Sequence, residues 1–258
     1  MKKIINHLKK LKKQNIVAVK QSLEDEGASF EELTLMRKIT KKASLKHNVK
    51  VGGCEAKTDI YFCEKLGVNG IVAPMVESNY ALRKFMQIIS KNSKQNLYVN
   101  LESIQAFKNI NQIISTKNFK KLRGVVIGRS DLAGSLNLQK SEVDSKKIFK
   151  LVLNLLKKIK RKKVTTKMGG SLTTKSLDFA NKLYKMKLLD SVETRNIEIK
   201  LSDQVFTNFN KLIIDIFNFE LEWIKYKQKR FSKTKNVIKN DNLSRIRELK
   251  KRIYNLSK

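Results

Sequence analysis

Acidic side chains recur in this sequence directly after short runs of apolar residues. Glu102 and Asp131 follow two consecutive runs of this kind, Leu97–Leu101 and Gly124–Gly128. If the runs are parallel strands of one sheet, their carboxyl ends meet at one edge and bring the two carboxylates together. Paired carboxylates with open positions beside them suit Mg²⁺ or Mn²⁺, which take oxygen ligands from protein, water and substrate. We therefore predict a metal site at Glu102 and Asp131, the alternative being that both are helix-capping or solvated loop carboxylates.

A metal held in this way indicates a class of reaction. A 2-oxo acid can chelate the ion through its carboxylate and keto oxygens, and the ion stabilises the enolate left when a C–C bond breaks. Other residues at the ends of apolar runs supply the remaining roles: Lys50 or Arg129 holds a substrate carboxylate, and Glu26 or Glu55 acts as general base. For the two cations the alternative is a structural ion pair, and the same choice applies to Arg195.

The elements that must position these residues can be read from the apolar pattern. Short runs, most of them rich in Val and Ile, alternate with amphipathic helical segments, as in parallel strands joined by right-handed crossovers. Seven repetitions favour a TIM-type (β/α) barrel over an open sheet, and we assign it to residues 1–200. An eighth run is not legible, so the barrel lacks a strand or a helix at Lys2–Lys13 plugs the gap. The seven strand candidates are Ile16–Ser22, Val49–Cys54, Gly70–Met75, Leu97–Leu101, Gly124–Gly128, Val164–Met168 and Ser191–Ile197.

Helix signals support this organisation. Ser29 and Glu32 form a capping box ahead of an apolar stripe, which predicts a helix start. Residues 201–258 are predicted to be a C-terminal helical extension, apolar at helical spacing over Val205–Tyr226. A short heptad-like run then extends from Leu243 to Leu256. This run packs either on a neighbouring subunit, which would make the protein a homo-oligomer, or back on its own barrel.

The composition restricts the remaining function classes. The net charge is +33, from 56 Lys+Arg against 23 Asp+Glu. The cations are spread along the chain without interleaved aromatics, which favours a solvated basic surface over a nucleic-acid-binding face. Cys54 and Cys63 have no metal-ligand spacing, and Cys54 is expected to be a packed residue, not a nucleophile. No apolar stretch is long enough to span a membrane and no signal peptide is legible, so we expect a cytoplasmic protein.

Several segments resemble the HpcH/HpaI aldolase and citrate lyase family in order and spacing. One is similar to that family's metal-binding I-E-T segment and another to its G-x-x-D-L segment, and a weaker likeness extends from about Ile16 to Arg195. The segments that carry the resemblance are Val49–Ala56, Leu66–Val68, Gly70–Glu77, Val99–Ser103 and Ile127–Leu132.

The resemblance implies a (β/α)₈ barrel whose metal ligands correspond to Glu102 and Asp131. It also shows two departures. Gly27 stands where the bacterial 2-oxo acid aldolases of the family have a histidine for acid/base chemistry, and His47 is expected to be solvent-exposed at a helix end. The family's substrate-binding arginine has no match, and the nearest cation is Lys50, a point charge in place of a bidentate fork.

Together these features predict a lyase, a class II aldolase that uses Mg²⁺ or Mn²⁺ and acts on a small 2-oxo acid or its aldol adduct. Two alternatives remain open at this point. One is a catalytically altered barrel that acts as a basic binding protein. The other is a related barrel enzyme for a phosphorylated substrate, which the glycines at the strand ends would suit.

Overall fold

A computed structural model describes residues 1–172, 174–231 and 236–257 of the chain. Eight strands form one closed barrel in sequence order, which confirms the predicted fold class. The strands are β1 Ile16–Ser22, β2 Lys46–Lys50, β3 Gly70–Ala73, β4 Asn96–Leu101, β5 Gly124–Gly128, β6 Thr165–Gly169, β7 Ser191–Glu193 and β8 Ile197–Lys200.

Helices surround the barrel and continue after its last strand. They are α1 Lys2–Lys12, α2 Phe30–Ala43, α3 Lys57–Leu66, α4 Asn79–Ile88, α5 Ile104–Lys108, α6 Ile110–Ser115, α7 Arg129–Ser135, α8 Lys146–Lys160, α9 Thr174–Lys185, α10 Asp203–Thr207, α11 Phe209–Arg230 and α12 Asn236–Ser257. Helix α2 begins as its capping residues predict, because the Ser29 hydroxyl accepts a hydrogen bond from the Glu32 amide at 3.2 Å. None of the described helices is both long and apolar enough to cross a membrane.

The eighth strand runs against the other seven. Strands β1 to β7 pair in parallel, but β8 is antiparallel to β7 and to β1. The prediction of one strand over Ser191–Ile197 was therefore wrong, because the chain reverses at Thr194–Asn196 and makes a hairpin. Neither Gly nor Pro marks this turn in the sequence. It is held by the Thr194 amide, which donates to the Ile197 carbonyl at 2.9 Å.

Helix α1 does not plug the barrel. It lies in the outer ring of helices, packed against α2, α11 and the start of β1. Its apolar face, which includes Ile4, Leu8 and Leu11, is buried. The gap for which a plug was suggested is filled by β8, so the barrel is closed by hydrogen-bonded strands all the way round.

The position of His47 also differs from the prediction. Strand β2 begins at Lys46, so His47 lies in the strand and its side chain is 0% exposed. Its Nε2 atom lies 3.1 Å from Oε1 of Gln21. Burial lowers the pKa of His47 to about 3, and the nearby Arg37 charge adds to this effect, so the ring is neutral near pH 7. The short polar stretch before β2 resembles a helix end in sequence, which explains the error.

Polar groups fill much of the barrel interior. Lys20 pairs with Glu193 at 2.7 Å, and Lys167 pairs with Glu198 at 2.6 Å. The Lys167 ammonium also lies 3.8 Å from the centroid of the Tyr98 ring. Buried charges of this kind are stable only when paired, so the interior ties β1, β6, β7 and β8 together by ion pairs.

Candidate functional site

A polar cavity of about 250 Å³ opens at the carboxyl ends of the parallel strands. This is the end of a (β/α) barrel where ligand-binding side chains collect. Its walls come from the last residues of several strands and the loops that follow them, and from the C-terminal helices. The strand-end residues that line it include Ser22, Lys50, Asn100, Glu102, Gly128, Gly169 and Glu193.

Glu102 follows β4 directly and is only 3% exposed. Its Oε1 atom accepts a hydrogen bond from the Met75 amide at 3.1 Å, and Oε2 accepts one from Nδ2 of Asn100 at 2.9 Å. Gly128 on β5 faces the same carboxylate, and a Cβ atom there would collide with Oε2. The Met75 and Asn100 donors therefore hold the Glu102 side chain in one orientation. The glycine at position 128 leaves the space that this orientation needs.

Asp131 lies in the first turn of α7, directly after β5, and its exposed side chain lines the same cavity. Burial raises the pKa of Glu102 to about 7, opposed by the Lys50 charge and reinforced by that of Asp131. The Asp131 carboxylate is thus close enough to affect the ionisation of Glu102. The structure brings together the pair that the sequence predicts as metal ligands.

The donor set fits a hard divalent cation. The buried Oδ1 atom of Asn100 has no hydrogen-bond partner among the described residues, and it belongs to the side chain that donates to Glu102. Asn100 also lines the cavity, so a third oxygen acceptor lies beside Glu102. No group of three or more His, Cys, Asp or Glu side chains suited to a metal occurs in the described part of the chain. A cation here would keep sites for water and substrate, as Mg²⁺ and Mn²⁺ do.

Lys50 ends β2 and lines the cavity close to Glu102. Its ammonium pairs with Glu24 at 2.8 Å and with Asp25 at 3.3 Å. Burial lowers the pKa of Lys50, but the carboxylates of Asp25 and Glu24 raise it by more than burial lowers it. The net result is a pKa above the usual range for lysine. Lys50 is charged, and its charge is already balanced by the β1–α2 loop.

Glu26 has the features of an acid/base group. It lines the cavity and accepts a hydrogen bond from Nδ2 of Asn196 at 2.9 Å. Burial raises the pKa of Glu26 to about 7, although the charges of Lys227 and Arg195 oppose the rise. A carboxyl with this pKa exchanges protons readily near neutral pH.

Glu55 and Cys54 lie elsewhere. The exposed Glu55 carboxylate pairs with Lys84 at 2.7 Å and does not line the cavity. Its placement does not support the general-base role that was suggested for it. Cys54 donates to the Pro74 carbonyl at 3.4 Å, and burial raises the pKa of its thiol to about 11. The thiol is protonated near pH 7, in agreement with a packed residue.

Arg129 is fully buried and does not line the cavity. Its guanidinium pairs with Asp144 and donates to the carbonyls of Gly169 and Gly170 at 3.1 and 2.7 Å. The side chain therefore holds the loop after β6 in place. This placement does not support the prediction that Arg129 holds a substrate carboxylate.

Replacing Arg129 with Met is expected to destabilise the protein by about 3 kcal/mol, because it leaves the Asp144 carboxylate buried without its guanidinium. Urea denaturation followed by circular dichroism measures this change. The double variant Arg129→Met/Asp144→Leu should recover part of the loss. Equal stability of wild type and the single variant would show that the ion pair does not hold the loop.

The sequence leaves two roles open for Arg195, substrate binding or a structural ion pair. The structure separates Arg195 from the other cations on the cavity wall. It lies in the β7–β8 turn, is exposed, and lines the cavity. Among the described residues it is the one cation on the cavity wall with no carboxylate within 4 Å. The other five are paired: Lys20 with Glu193, Lys50 with Glu24, Lys140 and Arg252 with Glu248, and Arg245 with Glu220.

Helix α12 completes the outer wall. It packs against α11 of the same chain, with Leu249 fully buried, and contributes Arg245, Glu248 and Arg252 to the cavity. Glu248 lies within 4 Å of three cations, and although burial raises its pKa, Arg252 and Arg245 lower it to a net value of about 2. The sequence pattern shows that this helix exists but not that it reaches the barrel mouth.

Comparisons with known proteins agree with this architecture. Similar solved structures include an HpcH/HpaI aldolase from Desulfitobacterium hafniense DCB-2, with 11% sequence identity, a TM-score of 0.63, and coverage of 74% of this chain and 81% of that one. An HpcH/HpaI aldolase/citrate lyase family protein from Burkholderia cenocepacia J2315 has 13% identity and a TM-score of 0.60, covering 74% and 82%. Citrate synthase SbnG has 13% identity and a TM-score of 0.60, covering 74% and 81%. At these identities the likeness shows the fold alone.

A search of curated protein sequences found no match. The family model for HpcH/HpaI aldolase/citrate lyase, in contrast, matches residues 32–167, the segment that contains both Glu102 and Asp131. A lyase-type function follows at the level of the family. Because the match covers more than half of the 258 residues, the chain belongs to the HpcH/HpaI aldolase/citrate lyase family.

Proposed function

We propose that this protein is a metal-dependent carbon–carbon lyase of the class II aldolase type, acting on a small 2-oxo acid or its aldol adduct through an enolate. One observation carries the proposal. Glu102 and Asp131 share a cavity at the carboxyl end of the barrel with an oxygen of Asn100 that has no hydrogen-bond partner in the described part of the chain. Oxygen ligands on one side of an open cavity suit an ion that must also bind substrate.

Glu102 and Asp131 would hold the Mg²⁺ or Mn²⁺ ion. When bound, the ion supplies Lewis acidity that stabilises the negative charge of an enolate. The Met75 amide and Asn100 orient the Glu102 carboxylate, and the Lys50 charge favours its ionised form. The chain thus fixes the orientation of this carboxylate ligand before any ion arrives.

Glu26 moves the proton. In the condensation direction, ionised Glu26 removes a proton from the carbon next to the keto group, and the electron pair of the C–H bond becomes the enolate. In the cleavage direction, ionised Glu26 takes the proton of the adduct's alcohol as the C–C bond breaks and its electron pair becomes the enolate. Glu26 then gives that proton to the enolate carbon, and condensation follows the same steps in reverse. A carboxyl with a pKa of about 7 can serve in both directions near neutral pH. Asn196 fixes its orientation through the hydrogen bond to Oε1.

Arg195 holds the substrate carboxylate. It is the cavity-lining cation without a carboxylate partner among the described residues, so its fork of donors is available for a bidentate interaction. In this proposal Arg195 takes the role that Arg129 was expected to have.

Arg195→Gln is expected to raise the KM for a 2-oxo acid about 10- to 100-fold with a smaller change in kcat, because it removes a charge-assisted interaction of roughly 1.5–3 kcal/mol. Steady-state kinetics with pyruvate as nucleophile measures this change. The KM of Arg195→Lys should lie between those of the wild type and Arg195→Gln, since lysine keeps the positive charge but lacks the paired donors of the guanidinium. An unchanged KM in Arg195→Gln would place the carboxylate at another residue.

The proposed function is tested by isothermal titration calorimetry with oxalate, a mimic of the pyruvate enolate. Metal-free protein should bind oxalate weakly, and protein saturated with Mg²⁺ or Mn²⁺ should bind it tightly. Loss of oxalate binding after chelation and its return with added metal would support the proposal. If oxalate binding is the same with and without metal, the metal-dependent mechanism is wrong.

A further inference from the structure

The barrel face opposite the cavity carries a ring of cations. In a (β/α) barrel, the connections that lead into the parallel strands all lie at this face. Because β8 is antiparallel, its last residue reaches the same face. Six strands have an exposed Lys or Arg either at their first residue or within the four residues before it, and another exposed Lys ends β8. These seven residues are Lys13, Lys46, Lys94, Arg123, Lys163, Lys187 and Lys200.

The charges of this ring are not neutralised nearby. None of the seven has an ion pair within 4 Å among the described residues, whereas five of the six cations on the cavity wall are paired. The carboxylates on or next to the same connections include Asp190, Glu64 and Asp203, the exposed first residue of α10. Asp190 pairs with Lys160 at 2.6 Å, and Glu64 accepts hydrogen bonds from Ser90. The positive charge of this face is therefore less neutralised by ion pairs than that of the cavity wall.

We propose that this ring, which we call the basic face, binds the phosphate backbone of a nucleic-acid duplex. The sequence alone favours a solvated surface, since the cations are dispersed along the chain. The fold changes that view because it gathers one cation from each of seven strand ends onto one surface. A duplex presents a negative charge about every 1.7 Å of its axis, so it can meet several of these cations at once.

The residues of the basic face favour a duplex backbone over a single-stranded nucleic acid or a membrane surface. The exposed tyrosines Tyr61, Tyr80 and Tyr254 lie on α3, α4 and α12, away from the basic face. Without a stacking platform, single-stranded bases gain little here. A membrane-docking face usually adds several insertable apolar residues, and Met186 is the one large exposed apolar residue described on these connections. Contact with phosphates alone makes the interaction independent of base sequence.

The test is fluorescence anisotropy with a labelled 20-base-pair duplex and full-length protein at 50 to 200 mM salt. With about five phosphates contacted, affinity should fall a few hundred-fold over this range. The variant Lys46→Glu/Lys163→Glu/Lys187→Glu should bind at least about tenfold more weakly and show a salt slope smaller by about three. A control, Lys57→Glu/Lys150→Glu/Lys225→Glu, makes the same charge change on helices α3, α8 and α11, at exposed positions that have no ion pair with any residue the structure describes.

Each outcome decides the proposal. Selective weakening by the basic-face variant, with the control close to wild type and both variants folded by circular dichroism, supports a duplex site on this face. Equal weakening by both variants would show that only the overall charge of the protein matters. Binding to phosphatidylserine vesicles but not to the duplex would make the face a membrane-contact surface instead. Because oxalate binding reports on the opposite end of the barrel, failure here leaves the proposed lyase function intact.

Discussion

Glu102→Gln and Asp131→Asn are each expected to reduce the affinity of the protein for Mn²⁺ at least about 100-fold, since even residues that only orient metal ligands contribute 10- to 100-fold. Metal-dependent oxalate binding should disappear in both variants. Both substitutions keep the size of the side chain and remove its charge. Electron paramagnetic resonance of free Mn²⁺ measures the first effect and calorimetry with oxalate the second.

The control for this prediction is Glu64→Gln, which removes a carboxylate at the opposite end of the barrel. It should bind Mn²⁺ and oxalate like wild type. If Asp131→Asn alone keeps full affinity, the exposed carboxylate is a solvated loop residue and the cation, if any, is held by Glu102 with other oxygens.

Glu26→Gln is expected to slow proton exchange between pyruvate and solvent about 10²- to 10⁴-fold, the usual contribution of a general base. Loss of the pyruvate methyl signal in D₂O, followed by proton NMR with metal present, measures the rate. In the wild type this rate should rise with pH and level off above about pH 7, because only ionised Glu26 accepts a proton. The variant should lose that rise.

The same substitution should make the protein more stable above pH 7. The folded-state pKa of Glu26 lies above its unfolded value of 4.5, so the native state binds more protons than the unfolded state between about pH 4.5 and 7. The free energy of unfolding therefore falls as pH rises through this window. Removing the ionisable group should recover on the order of 2 kcal/mol at pH 8, measured by urea denaturation.

Glu55→Gln distinguishes the two candidates for the general base. Its carboxylate pairs with Lys84 outside the cavity, so exchange should continue at the wild-type rate and with the same pH dependence. If Glu55→Gln abolishes exchange and Glu26→Gln does not, the assignment of the proton to Glu26 is wrong.

The barrel and the placement of Glu102 and Asp131 at its cavity were predictable from the sequence for a shared physical reason. Strands buried on both faces are nearly continuous apolar runs, and a charged residue directly after such a run marks a strand end. Glu102 and Asp131 were recognisable in this way, as was Glu26. This pattern of a charged residue after an apolar run depends only on the local order of residues. It can therefore be recognised without any knowledge of distances in the fold.

Other features depend on contacts between distant parts of the chain. Arg129 and Arg195 both follow apolar runs, and only the structure shows that the first is buried against Asp144 while the second has no partner within 4 Å among the described residues. His47 sits among lysines, yet it is fully buried beside Gln21. Arg245 reaches the cavity wall only because of the path that α11 and α12 take, and no local sequence pattern encodes that path.

The reversed eighth strand has an electrostatic consequence for the barrel mouth. In a regular (β/α) barrel each helix following a strand has its N-terminus, the positive end of its dipole, on the side of the cavity. Here β8 ends on the opposite face, and the contacts Lys10–Asp215 and Lys3–Glu222 show that α11 runs antiparallel to α1. The negative end of the α11 dipole therefore points towards the mouth. In its last turn Lys227 is buried and paired with Glu32 at 3.4 Å, whereas Lys229 and Arg230 are exposed, and the charges of these two offset a field that would otherwise repel an anion.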